Sequence, residues 1–124
     1  MSKGPEKRLV NNALAYLRSR PDEFWFKVHG GPYQEAGLPD LIGSTTGPCP
    51  HCGELIAGLF AGCEAKRPDG KGRLSAKQFQ ILKRIERSGG IIAVFKEVNF
   101  LRMVLDEGLG FALVEEDEIG GKPR

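Results

Sequence analysis

The run "LIAGLFAGCEAK", residues 55–66, constrains this chain more than any other stretch. It is apolar almost to its end and then sets an acid and a base two positions apart. Along an extended strand, alternation sends Phe60, Gly62, Glu64 and Lys66 to one face and Leu59, Ala61, Cys63 and Ala65 to the other. A strand that otherwise reads as buried pays for terminal charges unless they are paired, solvated or employed.

The elements around it follow from periodicity. Residues 5–18, "PEKRLVNNALAYLR", space Leu9, Val10, Ala13, Leu14 and Leu17 as an amphipathic helix, with Pro5 suited to its first turn. Glu6 lies in phase with Val10, Ala13 and Leu17. "FWFKVH" (24–29) alternates as a strand, "LPDLIG" (38–43) is a short strand entered through Pro39, and "TTGPCPHCGE" (45–54) reads as an irregular insertion. After the basic turn "RPDGKGR" (67–73), Ser75 caps a helix with Phe79, Leu82 and Ile85 on its apolar stripe and Gly89 at its end. "IIAVFKEV" (91–98) is a β-branched strand, and "NFLRMVLDEG" (99–108) is a short helix capped by Asn99. The last stretch, 111–124, offers a short edge strand before a polar tail.

This order predicts an α/β sandwich with a small mixed sheet flanked by helices. At 124 residues it is one domain, with a core over about 5–105, a cysteine-containing insertion at 44–57 and an acidic tail at 115–124. The N-terminus lacks the apolar centre of a signal peptide and no apolar run is long enough to span a membrane, so the expectation is a soluble, cytoplasmic protein.

Net charge is only +2, but bases crowd the stretch Lys66–Arg87 while acids gather at the C-terminus. That asymmetry fits a polyanion partner, and equally a solvated helix face. The three cysteines, an odd number without an export signal, argue against a disulfide framework.

The residue types then converge on one chemistry. Asp40 begins one strand, and Glu64 and Lys66 end the next on a shared face. Carboxylates brought together on adjacent strands repel, and a hard divalent cation relieves them. Magnesium needs one or two carboxylates and a phosphate oxygen, and a lysine on the same face would help neutralise developing charge. This is what metal-assisted phosphodiester hydrolysis requires. Glu6 has a second reading as a first-turn acid favoured by the helix dipole, and Gln78 as the partner of Ser75 in a capping box.

"GLPDLIG" followed by "CEAKRPDGKGRLSAKQ" resembles the VRR-NUC domains of the PD-(D/E)xK nuclease superfamily, over about residues 5–105. The resemblance implies a restriction-endonuclease-like fold and a metal site formed by Glu6, Asp40, Glu64, Lys66 and Gln78. Asp40, Glu64 and the carbonyl of Ala65 would hold Mg2+ or Mn2+. Arg67, Lys71, Arg73 and Lys77 would contact DNA phosphates rather than bases. Small stand-alone members of phages and bacteria look like homodimeric Holliday-junction resolvases, which implies branched, four-way DNA as substrate. A different class of reading is a non-catalytic nucleic-acid-binding protein using the basic loop and the cysteine turn.

"CPHCGE" departs from the simplest form of that pattern. C-P-x-C-G has the spacing of a zinc knuckle, with Cys49 and Cys52 as Zn2+ ligands. A second such pair is absent, and alternation turns Cys63 away. His51, His29 or a partner chain would have to complete the sphere; the other reading is a reduced, knuckle-like turn without metal. A strand rather than a helix follows the motif, which excludes a thioredoxin-type redox pair.

Overall fold

The computed structural model describes residues 5–30, 34–49, 51–67 and 74–107. Its elements are α1 (Pro5–Arg18), β1 (Phe24–Lys27), β2 (Leu41–Pro48), β3 (Leu55–Ala65), α2 (Ala76–Arg87), β4 (Ile91–Phe95) and α3 (Val98–Glu107). The strands form one sheet in chain order. β1, β2 and β3 run antiparallel, and β4 joins β3 in parallel, so the sheet is mixed and flanked by helices as expected.

Each face is closed by the apolar stripe that periodicity identifies. Leu9, Val10, Ala13 and Leu17 of α1 and Leu101, Val104 and Leu105 of α3 pack on Trp25, Leu41, Ala61, Cys63 and Ala93. Burying one such leucine contributes about 1.5–3 kcal/mol. On the opposite face, Leu82 of α2 packs with Leu74 and Ile92, and Phe79, Ile85 and Val94 close around them. α2 begins at the capping box of Ser75 and ends ahead of Gly89, whose φ of 100° only glycine adopts at no cost. Phe24, Phe26 and Phe60 remain largely exposed.

The alternation in β3 holds. Cys63 is fully buried against α1 and α3, whereas Gly62 and Glu64 face α2. The layers come close at Gly62: a Cβ there would stand 3.0 Å from both Pro39 and Ile85. Its bare backbone lets Pro39 pack onto the strand and seats Asp40 beside Glu64.

Several expectations change. The 45–54 stretch expected to be irregular is strand in its first part, because β2 continues to Pro48, and β3 starts directly after it at Leu55. Their ladder extends past a bulge between Thr45 and Gly47 into an arm tipped by the cysteine turn. Ladder pairing satisfies backbone groups that an irregular loop would leave to solvent. β1 ends at Lys27 and β4 at Phe95, both earlier than their patterns suggest. Asn99 is not a cap: α3 starts at Val98, and the Asn99 side chain accepts a hydrogen bond from Arg102 Nε at 3.1 Å. The edge strand and tail expected over 111–124 lie outside the described residues, as does most of the basic turn.

No helix among the described residues is long and apolar enough to cross a membrane.

Candidate active site

The register Leu41↔Cys63 fixes the site, because one step further along the ladder Asp40 stands opposite Glu64. Each carboxylate is held by the other strand. Asp40 N–H donates to Glu64 Oε1 at 3.2 Å, and Ala65 N–H donates to Asp40 Oδ2 at 2.9 Å. The Asp40 carbonyl accepts from Val28 N–H at 2.8 Å, which ties the approach to β2 back to β1.

Gln78 resolves its two readings by satisfying both. Its Oε1 accepts from Ser75 N–H at 2.8 Å, its own N–H donates to Ser75 Oγ at 3.1 Å, and its Nε2 donates to Glu64 Oε2 at 3.0 Å. One end of the amide caps α2 while the other aims the buried carboxylate.

Glu64 is only 5% exposed. Burial first, and then the negative charge of Asp40, push its carboxyl up to about 9; the Asp40 N–H opposes this and Glu6 adds to it. Both Glu64 oxygens nevertheless accept hydrogen bonds, a pattern suited to a carboxylate. The pair is therefore shaped for charge although burial holds the Glu64 proton on.

Glu64 opens onto a cavity of about 150 Å³ lined also by Glu6, Ala65, Lys66, Arg67, Leu74 and Gln78. Five residues expected at the metal centre thus meet on one cleft: Glu6, Glu64, Ala65, Lys66 and Gln78. Asp40, bound to the Ala65 N–H, lines instead a neighbouring cavity of about 440 Å³ walled by residues between Val28 and Asp40. Lys66 leaves β3 with its N–H donating to the Phe95 carbonyl at 2.8 Å, so the β3–β4 pairing steadies its backbone. Arg67 is exposed at the cleft. Lys77 is directed to Glu35, in an exposed ion pair at 3.7 Å that contributes little to stability. Lys71 and Arg73 lie outside the described residues.

Among the described residues, no three His, Cys, Asp or Glu side chains gather into a complete metal cage. A divalent ion that keeps several waters does not need one. Asp40 and Glu64, two carboxyl groups held side by side by backbone N–H groups across the ladder, fit that donor requirement. Sequence reading missed the reciprocal backbone N–H contacts, because β-sheet register carries them and no residue type marks them.

The second cysteine site sits at the tip of the arm. Cys49 N–H donates to the Glu54 carbonyl at 2.8 Å and Gly53 N–H to the Cys49 carbonyl at 2.8 Å, which closes a tight turn. His51 N–H points at Cys49 Sγ at 3.4 Å. That N–H first, and then the backbone and side chain of Cys52, hold the Cys49 thiol below its usual range. Cys63 behaves oppositely: burial pushes its thiol up to about 12, as befits a small core residue.

No protein-family model, curated protein or solved structure matches this chain.

Proposed function

We propose that this protein is a divalent-metal-dependent DNA endonuclease of the PD-(D/E)xK type, with a restriction-endonuclease-like core and the VRR-NUC arrangement of site residues. The observation that carries the reading is the Asp40–Glu64 pair, locked by reciprocal backbone hydrogen bonds, whose Glu64 lines one cleft with Lys66 and Gln78. The order helix, three strands, helix, strand around that pair supports the same fold.

Asp40 and Glu64 would hold Mg2+ or Mn2+, with the Ala65 carbonyl as a further oxygen donor. Such an ion supplies electrostatic stabilisation of the phosphoryl centre and makes water easier to deprotonate. The chain does the rest. Gln78 holds the Glu64 carboxylate in one orientation, so reorganisation during reaction is small. Lys66 brings a positive charge to the cleft, where it opposes charge accumulating on the phosphate oxygens. Glu6, which lines the same cleft, would play a supporting role by accepting a hydrogen bond from incoming water. Arg67, Lys71, Arg73 and Lys77 would bind the backbone on either side, giving a strongly salt-dependent, shape-directed grip. Four-way and other branched DNA is the proposed substrate class, and two copies about a two-fold axis would make paired nicks.

Purified protein with Mg2+ and end-labelled four-way, flapped and linear DNA tests this. Cleavage that falls at least about 100-fold in Lys66→Ala and Asp40→Asn supports it. Variants that cut like the parent overturn the mechanism. Binding without cutting favours the non-catalytic DNA-binding reading. A preference for linear duplex removes the junction assignment but leaves the nuclease.

A further inference from the structure

The β2–β3 arm carries the one motif that the nuclease chemistry does not use. At its tip, Cys49 and Cys52 sit on a tight turn with the knuckle spacing C-P-x-C-G. His51 N–H is aimed at Cys49 Sγ, Gly53 N–H closes on the Cys49 carbonyl, and Gly53 takes a φ of 79° that a residue with a side chain would resist. N–H groups converging on a sulfur stabilise a thiolate, and paired thiolates select a soft, tetrahedral ion such as Zn2+.

A structural zinc takes four ligands, and the described residues of one chain do not bring four together. The sequence holds three cysteines and two histidines, and every one of them lies among the described residues. Cys63 is sealed in the core, and no third His, Cys, Asp or Glu side chain gathers with Cys49 and Cys52 among the described residues. The remaining thiolates must come from another molecule, and an identical knuckle is the symmetric source. The arm beside the knuckle is suited to that contact. Leu55, paired with Pro48 at the tip, is 75% exposed, and Ile56 next to it is 36% exposed. Large side chains at the end of a protruding arm gain from cover that this chain does not supply.

We infer that the arm tips of two copies clasp one Zn2+ through Cys49 and Cys52 of each chain, making the arm a metal-locked dimer contact. A two-fold axis through the ion generates the tetrathiolate and brings the Leu55 side chains together.

The test measures zinc content by plasma mass spectrometry and molar mass by light scattering on the protein as purified under reducing conditions. One zinc per two chains in a dimer is expected. Removal of zinc by a chelator, or Cys49→Ser with Cys52→Ser, should halve the molar mass while the far-ultraviolet circular dichroism of the body stays unchanged. Cobalt substituted for zinc should give the intense visible bands of a four-thiolate tetrahedral site. Leu55→Asp leaves both thiols in place and should raise the concentration needed for dimerisation at least tenfold. One zinc per chain in a monomer, protein without zinc, a Cys49–Cys52 disulfide under reducing conditions, or a dimer indifferent to zinc loss would each overturn the clasp. None of these readouts depends on DNA cleavage, so the proposal fails or stands apart from the nuclease reading.

Discussion

Glu64 should make the metal-free protein less stable as pH rises, and Glu64→Gln should abolish that slope. The folded carboxyl keeps its proton to about 9 because it is buried beside Asp40, whereas in the unfolded chain it titrates near 4.5. Between those values the folded state binds one more proton than the unfolded state. The contribution to stability is therefore complete below the lower value and is lost progressively toward the upper one. Each pH unit in that window costs about 1.4 kcal/mol, or about 3 kcal/mol by pH 7. Since Glu64 is only 5% exposed, solvent screening removes little of this. Urea unfolding in chelator at several pH values from about 5 to about 8.5 measures it. A divalent ion that binds the ionised pair should restore stability, and more so at higher pH, by the usual linkage of ligand binding to folding. The glutamine amide accepts only on its oxygen, so it forfeits one of the bonds from Asp40 and Gln78, about 1 kcal/mol at every pH. The diagnostic is the slope rather than the absolute value. A Glu64→Gln protein whose stability still falls as steeply as the parent's would show that Glu64 is not the titrating group.

Ser75→Ala and Gln78→Ala separate capping from chemistry. Each loses the capping box, worth about 1 kcal/mol by thermal or urea unfolding, but only Gln78→Ala removes the donor to Glu64 and should lower kcat at least tenfold. Glu23 accepts hydrogen bonds from Arg20, Trp25, Thr45 and Thr46. Burial raises its carboxyl, but those partners, Arg20 first, outweigh it and hold the value below normal, so its support is present at neutral pH and fades on acidification. Glu23→Ala should cost about 1–3 kcal/mol in urea unfolding, since Arg20 loses its buried partner but keeps Asp106 at 2.9 Å. Arg67→Ala should weaken DNA binding across all sequences and reduce the salt slope of log K by about 1, as measured by fluorescence anisotropy.

Much of this protein is legible as pattern. The 3.6-residue spacing of Leu9, Val10, Ala13 and Leu17 and the two-residue alternation around Cys63 and Glu64 survive folding because each periodicity determines which side chains can reach a core. The capping box of α2 is local chemistry, complete within four consecutive residues, and so it is readable from Ser75 and Gln78 alone. Asn99 shows where local signals fail: a good capping residue lies one position inside α3, because the packing of Leu101, Val104 and Leu105 sets where that helix begins.

The sequence by itself determined the element order, the two faces of β3 and the short list of acids, bases and thiols available for chemistry. Tertiary structure decided which of them meet. Antiparallel register brings Asp40 opposite Glu64, and the bare backbone at Gly62 lets Pro39 close the gap. The fold of α2 over the sheet makes the Gln78 amide serve cap and carboxylate together. The cysteine stretch turned out to be the tip of a paired arm, since ladder hydrogen bonds are made between segments and leave no mark on either one alone. Local periodicity is a property of one segment, whereas a site is a property of several, and only the packed sheet holds the information that joins them.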